Sequence, residues 1–305
     1  MSSDLFELAS RQSYPSGTLY VVATPIGNLA DISLRALHLL ALCDRVAAED
    51  TRTTAPLLAR YGISKPMLPA HEHNEREAAE RVVSHLRAGE RIAYVSDAGT
   101  PGISDPGARV ADAVRAAGLP VVPLPGASAL LAAVSVAGPW ASPFTFIGFL
   151  PTKTKQRAGE LTRLATSREA LVLYEAPHRL HATVSALLTA FGGARRILVA
   201  RELTKLHETL LTGTLAEVHD RVVEETPRGE YVIVVEGAPP VTHDDEAQHD
   251  RLLSMLLEET SVSAAARLAA RLTGVPRDVL YPRALKLGRA GATDDESGDD
   301  AVEED

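Results

Sequence analysis

The sequence predicts an α/β protein: two successive α/β domains followed by a small C-terminal helical segment. Three observations predict it. Apolar strand-like runs alternate with helical patterns through the first half, five more strand-like runs crowd residues 144–235, and only amphipathic helical stretches follow from 251 to 286. With 305 residues, 45% of them hydrophobic, the chain is long enough to fill more than one core.

Taken in order, residues 1–16 read as a flexible N-terminus and 17–138 as the first α/β domain, with strands at 19–23, 92–95 and 121–124. Asp31 and Ser33 stand where they can cap a helix carrying Leu34, Leu37 and Leu40, and Asn74 with Glu77 resembles a capping box for a helix ending near Gly89. Asp105-Pro106 reads as an N-cap followed by proline at the first helical position of a helix over 108–117, which Gly118 closes. Strands alternating with helices imply a mostly parallel sheet covered on both faces. A hinge is expected at Gly138-Pro139-Trp140-Ala141-Ser142-Pro143, and the second α/β domain at 139–238. Its strands are expected at 144–149, 171–174, 197–201, 209–212 and 231–235. The interval from Ile197 to Thr212 is too short for a crossover helix, so this sheet is mixed. A linker rich in Pro, Asp and His spans 239–249, and helices at 251–259, 262–272 and 277–286 form a helix-turn-helix-like segment over 250–288. Residues 289–305 read as a disordered acidic tail.

Composition excludes several classes. One cysteine, Cys43, rules out a disulfide framework and a Cys-based zinc site, and its place on an apolar helical face predicts a small core residue. No stretch of about 18 apolar residues is present, nor an N-terminal basic segment leading into a hydrophobic run, so a cytoplasmic location is expected. The net charge is −9, but eight acids and no base fall within residues 291–305; without them −1 remains, which neither supports nor opposes an RNA partner.

The strand at 92–95 runs into Ser96-Asp97-Ala98-Gly99-Thr100-Pro101-Gly102-Ile103-Ser104-Asp105-Pro106-Gly107. A loop so long and so rich in small residues exceeds the usual βα connection and suits close approach of backbone N–H groups to a ligand. Two other loops, at Pro25 and at Gly126-Ala127-Ser128, leave the carboxyl ends of strands as well, where α/β ligands bind. Gly-x-Gly-x-x-Gly is absent, so a nicotinamide or flavin dinucleotide is not expected. His71-Glu72-His73-Asn74 offers no set of ligands on one strand face, and no metal is expected. Asp50 reads as a helix cap or, with Arg52, as part of a phosphate-facing pair. The loop Thr152-Lys153-Thr154-Lys155-Gln156-Arg157 suits a phosphate backbone, through Lys153, Lys155 and Arg157. Besides Tyr174, eight ionisable groups are packed into 174–179 and 201–208, as structural salt bridges or as chemistry.

Taken together, Thr24-Pro25-Ile26-Gly27-Asn28-Leu29, Glu49-Asp50-Thr51-Arg52, Ser96-Asp97-Ala98-Gly99-Thr100-Pro101, Pro125-Gly126-Ala127-Ser128-Ala129, Gly148-Phe149-Leu150-Pro151, Tyr174-Glu175-Ala176-Pro177-His178-Arg179 and Arg201-Glu202-Leu203-Thr204-Lys205 form an ordered set. With it the chain resembles the tetrapyrrole-methylase superfamily over about 17–238, and within it the RNA methyltransferases that act on a cytidine 2′-hydroxyl of 16S rRNA in the small ribosomal subunit. Gly102 departs from the family pattern, where a larger apolar residue is common. The resemblance implies two domains of the tetrapyrrole-methylase type, S-adenosyl-L-methionine bound in the cleft between them, and a homodimer. It assigns Asp97, Ala98 and Gly99 to the main cofactor loop. Ser128, Ala129, Tyr174, Glu175 and Leu203 would line the site, with Pro25 nearby and Glu230 closing the adenine side.

A ribose hydroxyl is a weak nucleophile until its proton leaves, so a base or a nearby cation is expected. Glu49, Asp50, Glu202 and Glu208 are candidate bases. Lys205, Arg52 and Arg179 are candidate cations for the oxyanion or for phosphates, and the carboxylates can equally orient those cations. His178 and Arg179 join the lysines as RNA contacts. A methylase of a tetrapyrrole precursor is the alternative reading, and a non-catalytic RNA-binding factor a third.

Overall fold

The computed structural model describes residues 3–71, 74–105, 107–240 and 243–294. The chain divides into two compact units, Met1–Ala238 and Pro239–Asp305. The first unit contains two five-stranded sheets.

The first sheet holds β1 (Leu19–Val22), β2 (Arg45–Ala48), β3 (Met67–Pro69), β4 (Ile92–Val95) and β5 (Val121–Leu124) in the order β3-β2-β4-β1-β5. Every neighbouring pair is parallel. Parallel strands need helices on both faces, and their near-continuous apolar runs reflect it. Leu39 and Leu40 of α2 (Leu34–Leu42) and Leu58 of α3 (Thr51–Arg60) pack with Val22, Val46 and Val95 on one face. Val82 and Leu86 of α4 (Glu75–Arg87) and Val110 and Val114 of α5 (Ala108–Ala116) pack with Leu19, Ile92 and Tyr94 on the other.

The second sheet holds β6 (Phe144–Phe149), β7 (Ala170–Glu175), β8 (Arg196–Arg201), β9 (Thr209–Thr214) and β10 (Tyr231–Val235) in the order β6-β7-β10-β8-β9. It is mixed as expected: β6 and β7 are parallel and the remaining pairs antiparallel. One face is covered by α7 (Thr154–Leu164), α8 (Leu180–Phe191) and α9 (Leu215–Glu224), through Leu161, Val184, Leu187 and Val218. The other is covered by α6 (Ala129–Ala137), whose Leu130 and Ala133 meet Val172, Leu198 and Val232. Since α6 leaves β5 of the first sheet and packs on the second, the loop before it is held between the two sheets.

The second unit is a bundle of α10 (His243–Glu259), α11 (Val262–Thr273) and α12 (Arg277–Asp294) around Leu253, Ala266, Ala269, Leu280 and Ala284. Arg283 of α12 ties to Asp250 of α10 at 2.9 Å. Among the described residues, no helix is long and apolar enough to cross a membrane.

Several local expectations are corrected. Residues 3–10 form α1, and Tyr14 after it is buried against His38, so 1–16 is not wholly a flexible segment. Strands β2 and β3 add to those expected: β2 is alanine-rich and carries a weak strand signal, and β3 is three residues ending in proline. Ser33, not Asp31, caps α2. Asn74 makes no cap bond; its side chain instead holds the His71 N–H and the Pro69 carbonyl. Gly107, not Asp105, precedes α5, its N–H bonded to the buried Glu75 carboxylate; Pro106, Glu72 and His73 lie outside the described residues. The basic stretch at 152–157 is half helix, since α7 begins at Thr154. The linker is shorter than 239–249 because α10 begins at His243. The last helix runs past 286 to Asp294, into the span expected as tail; 295–305 lie outside the described residues. Cys43 is fully buried, and burial pushes its thiol up to about 11, as befits a core residue.

Ile233 sits at the middle of β10, fully buried and paired on both sides, to Leu173 and to Val199. Ile233→Ala is expected to cost about 2–5 kcal/mol of stability, measured by urea unfolding, with Ile233→Val costing about 1 kcal/mol.

Candidate functional site

The carboxyl ends of β1, β4 and β5 open side by side because these strands are neighbours in a parallel sheet. Their loops are tied by backbone. Thr24 and Gly99 exchange two N–H···O bonds of 2.9 and 3.0 Å, and the Thr100 hydroxyl donates to the Ala127 carbonyl at 3.0 Å. Facing them are the ends of β6 and β7, the turn after β8 and the start of β10. Between the two sets lies a cavity of about 440 Å³, within the range of small-molecule sites.

Eight of the ten residues expected at a cofactor line this cavity: Ala98, Gly99, Ser128, Ala129, Tyr174, Glu175, Leu203 and Glu230. Lys205 lines it as well. Pro25 and Asp97 flank lining residues without lining it themselves. Sequence reasoning missed Ile103, Asp105, Phe149 and Tyr231, which also line it. Asp105 was read as a helix cap, which concealed it. Phe149 stood in a quoted motif without a role.

Ser128 caps α6, accepting the Leu131 N–H, and the Tyr174 hydroxyl accepts the Leu130 N–H at 3.2 Å. Glu175 is almost wholly buried, yet fully engaged. It accepts the Ala176 N–H at 2.8 Å and the Thr183 hydroxyl at 2.6 Å, and Arg179 Nε lies 3.2 Å from Oε1, as an ion pair without hydrogen-bond alignment. Arg179 also donates to the Leu150 carbonyl at 2.6 Å. That guanidinium is engaged by Glu175 and Leu150 and is not a free phosphate ligand.

After β8 the chain turns sharply. Glu202 and Thr204 both adopt left-handed backbone, with φ of 52° and 67°, on either side of the buried Leu203. Such non-glycine residues are strained. A clamp holds them: Lys205 Nζ lies 2.8 Å from Glu202 Oε1 and 2.7 Å from Glu230 Oε2, and Glu202 also accepts the Glu230 N–H at 2.9 Å. Burial opposes the lysine charge, but these bonds outweigh it and raise its pKa, while the Lys205 ammonium lowers that of Glu202. Gly27 makes room for the clamp, since a Cβ there would lie 2.3 Å from Lys205 Cγ. Glu208 accepts the Thr204 N–H at 2.6 Å, bracing the same turn.

Glu49 and Asp50 lie beside the Gly-rich loop. Asp50 caps α3 and pairs with the exposed Arg52 at 2.6 Å, contacts that hold its carboxyl down at about 2. Glu49 accepts the Asp97 N–H at 3.2 Å. Burial, then repulsion among the acids, raises the pKa of Glu49 and of Asp97, and burial that of Asp105. Lys153, Lys155 and His178 are exposed and outside the cavity. Arg157 is buried, only 8% exposed, which removes it from the surface where an RNA backbone would pass. Among the described residues, no group of three His, Cys, Asp or Glu side chains is placed to hold a metal.

Because the folded pKa of Glu49 lies above its unfolded value of about 4.3, ionisation costs more in the folded chain. Its favourable contribution is complete below the unfolded pKa and is lost as pH rises through the folded one. Glu49→Gln is therefore expected to stabilise the protein at pH 7, with the gain vanishing below about pH 4, in urea unfolding at both pH values.

A family model described as Tetrapyrrole (Corrin/Porphyrin) Methylases matches residues 18–219, and one described as RsmI C-terminal HTH domain matches 243–288. The chain is 49% identical over 267 residues to the Ribosomal RNA small subunit methyltransferase I of Xylella fastidiosa, covering 87% of this chain and 98% of that protein. It is 47% identical to the protein of the same name from Pseudomonas aeruginosa, covering 89% and 98%. Among solved structures, a cobalamin biosynthetic enzyme, cobalt precorrin-4 methyltransferase, superposes with TM-score 0.55 at 18% identity, over 74% of this chain and 98% of that one. The Thermus thermophilus uroporphyrin-III C-methyltransferase complexed with S-adenosyl homocysteine gives 0.52 at 20%, over 71% and 96%. These last two share the fold. The two-sheet architecture, the cavity between the sheets and the matches along nearly the whole chain agree: this chain belongs to the tetrapyrrole methylases.

Proposed function

We propose that the protein transfers a methyl group from S-adenosylmethionine to the 2′-hydroxyl of a cytidine in 16S rRNA. The observation that carries the cofactor half is the cavity, where eight of the expected residues converge. Its chemistry fits a cation with an aromatic base attached. Backbone of Ala98 and Gly99 offers close approach on one side; Tyr174, Leu203 and Tyr231 offer apolar surface on the other; Asp105, Glu175 and Glu230 give the lining an acidic balance against Lys205 alone. The substrate half rests on likeness: relatives named Ribosomal RNA small subunit methyltransferase I match at 43–49% identity along about nine-tenths of the chain. The tetrapyrrole-enzyme neighbours lie at 18–22%, so the tetrapyrrole-precursor alternative is the weaker reading.

The bound cofactor supplies an electrophilic sulfonium methyl group. The protein's part is to hold a ribose oxygen in line with it and to receive the hydroxyl proton. Of the four candidate bases, Asp50 is held by Arg52 and Glu202 by Lys205, both with lowered pKa values. Glu208 is engaged by the Thr204 N–H, and Glu49, which accepts the Asp97 N–H beside the cavity and has a raised pKa, is the better proton acceptor. Lys205 stays protonated and acts as a fixed cation toward the developing oxyanion, not as a base. RNA would be held by Lys153, Lys155 and His178, and by Arg267, Arg271 and Arg277 of the helical unit, where Arg277 lies over the Tyr281 ring at 5.4 Å. A cytoplasmic homodimer acting on the small ribosomal subunit completes the reading.

The test is transfer of labelled methyl from S-adenosylmethionine to small subunits from cells lacking this gene, with mapping of the product. Label on a cytidine 2′-oxygen is expected; label absent from RNA, or on a base, refutes the reading. In the same assay Lys205→Gln is expected to lower the rate at saturating cofactor about 100-fold.

A further inference from the structure

Strand β6 carries a deliberate irregularity at the cavity. Its pairing with β7 runs Phe144↔Ala170, Thr145↔Leu171 and Phe146↔Val172, then skips Ile147 to resume at Gly148↔Leu173 and Phe149↔Tyr174. Gly148 takes the left-handed conformation, φ 71°, that this bulge requires. The consequence for Phe149 follows from strand geometry. Regular alternation would place it on the face of Thr145 and Ile147, and Ile147 packs into the core beneath α7, α8 and α9. One extra residue reverses the parity and turns Phe149 to the face of Phe146 and Tyr174. There it meets the Tyr174 ring edge-on, centroids 5.9 Å apart.

Turned this way, Phe149 is not covered. It is 54% exposed, while Leu203, Tyr231 and Val232 in the same cavity are 9% exposed or less. Only one other large apolar side chain lining the cavity is exposed to a similar degree: Ile103, at 43%. They belong to opposite sides of the cavity, Phe149 to the end of β6 and Ile103 to the Gly-rich loop, and these two segments approach each other where a Cβ on Gly148 would lie 3.8 Å from the Ser104 hydroxyl. The cavity therefore has a buried inner wall and an open apolar rim made by one aromatic ring and one aliphatic side chain. The bulge therefore presents the ring at the mouth of the cavity and not on the face covered by α7, α8 and α9.

We propose that Phe149, backed by Tyr174, is the stacking platform for the unpaired base of the nucleotide whose ribose is methylated. The assignment rests on the RNA reading above and names a substrate contact within it. An exposed aromatic face is what an unstacked base seeks, and it needs no hydrogen-bond code to hold it. Seated on the rim, the base anchors its own ribose over the inner cavity, which places the sugar oxygen next to the reacting centre. Phe149 thus positions the nucleotide and takes no part in proton transfer.

The experiment measures three quantities for the full chain and for Phe149→Ala, Phe149→Leu and Phe149→Trp. They are KM and kcat for unmethylated small subunits, Kd for S-adenosylmethionine by calorimetry, and the unfolding midpoint in urea. Because the ring is exposed, all three variants are expected to fold with the wild-type midpoint and to bind cofactor within about twofold of it. Phe149→Ala and Phe149→Leu are expected to raise KM for the subunits roughly tenfold or more, the loss of one base–aromatic stack, whereas Phe149→Trp restores it. Leucine as good as phenylalanine would overturn the assignment, since an apolar patch without an aromatic face would then suffice. So would a cofactor Kd that weakens in step with KM, which would make Phe149 part of the cofactor wall. No transfer to subunits by the unaltered chain would instead refute the RNA reading, and this assignment with it.

Discussion

The pair of backbone hydrogen bonds between Thr24 and Gly99 is the constraint on which the site depends. Loops at the ends of parallel strands have no ladder partner, and ordering each residue costs about 1–2 kcal/mol of conformational entropy. The bridge satisfies both loops with each other, and Thr100 extends the tie to Ala127. Nothing bulky is needed to hold the three loops, so their backbone remains available to a ligand. The connection also sets the second sheet in place: the loop that Thr100 grips leads directly into α6, which covers one face of that sheet.

Opposite these loops the logic is reversed, for there side chains do the holding. Burying the Glu175 charge costs several kcal/mol unless its oxygens are engaged, and Ala176, Thr183 and Arg179 engage both. The same network fixes the strand-to-helix turn that presents Tyr174 to α6. At the end of β8, strain in Glu202 and Thr204 is tolerated because Lys205 and Glu230 close over it. Left-handed residues of this kind are retained where surrounding contacts over-determine them. Their effect is to aim Leu203 into the cavity. One wall is thus made of small residues held by backbone, the other of large residues held by charge.

How much of this the sequence disclosed follows from the range of each interaction. The strands β4, β6 and β10 were legible because each is an apolar run bounded by turn residues, and the mixed second sheet followed from spacing alone. The strands β2 and β3 were not: β2 offers one valine and two alanines behind an arginine, a weak strand signal, and β3 is three residues ending in proline. Ser33 and Asp50 capped as their positions suggested; Asn74 did not, because the turn before it claimed its amide for His71 and Pro69. In the site, glycines and small residues announced the loops. The motifs brought eight of ten expected lining residues to one cavity, but they could not tell Arg157, drawn into the interior of α7, from the lysines that precede it. Nor does any local pattern encode the bulge at Ile147: a register shift is a property of two strands.

The clamp has a further consequence for charge. On the proposed reading a cation binds in the cavity and loses its charge as the methyl group leaves. Carboxylates directly against that cation would then stabilise the reactant more than the transition state, strengthening binding at the expense of rate. Lys205 limits this effect. By drawing both Glu202 and Glu230 onto its own ammonium, it offsets one of their two charges and keeps both carboxylates engaged with a partner of their own. The acids not paired in this way, Glu49, Asp97 and Asp105, lie along the Gly-rich loop, where burial raises their pKa values and makes them better proton acceptors than ordinary carboxylates. On the proposed reading the two sides of the cavity serve opposite tasks: an ammonium held between two carboxylates on the second sheet, and on the first Asp105 in the lining with Glu49 and Asp97 beside it. A reaction that creates negative charge on an oxygen and releases a proton from it uses both.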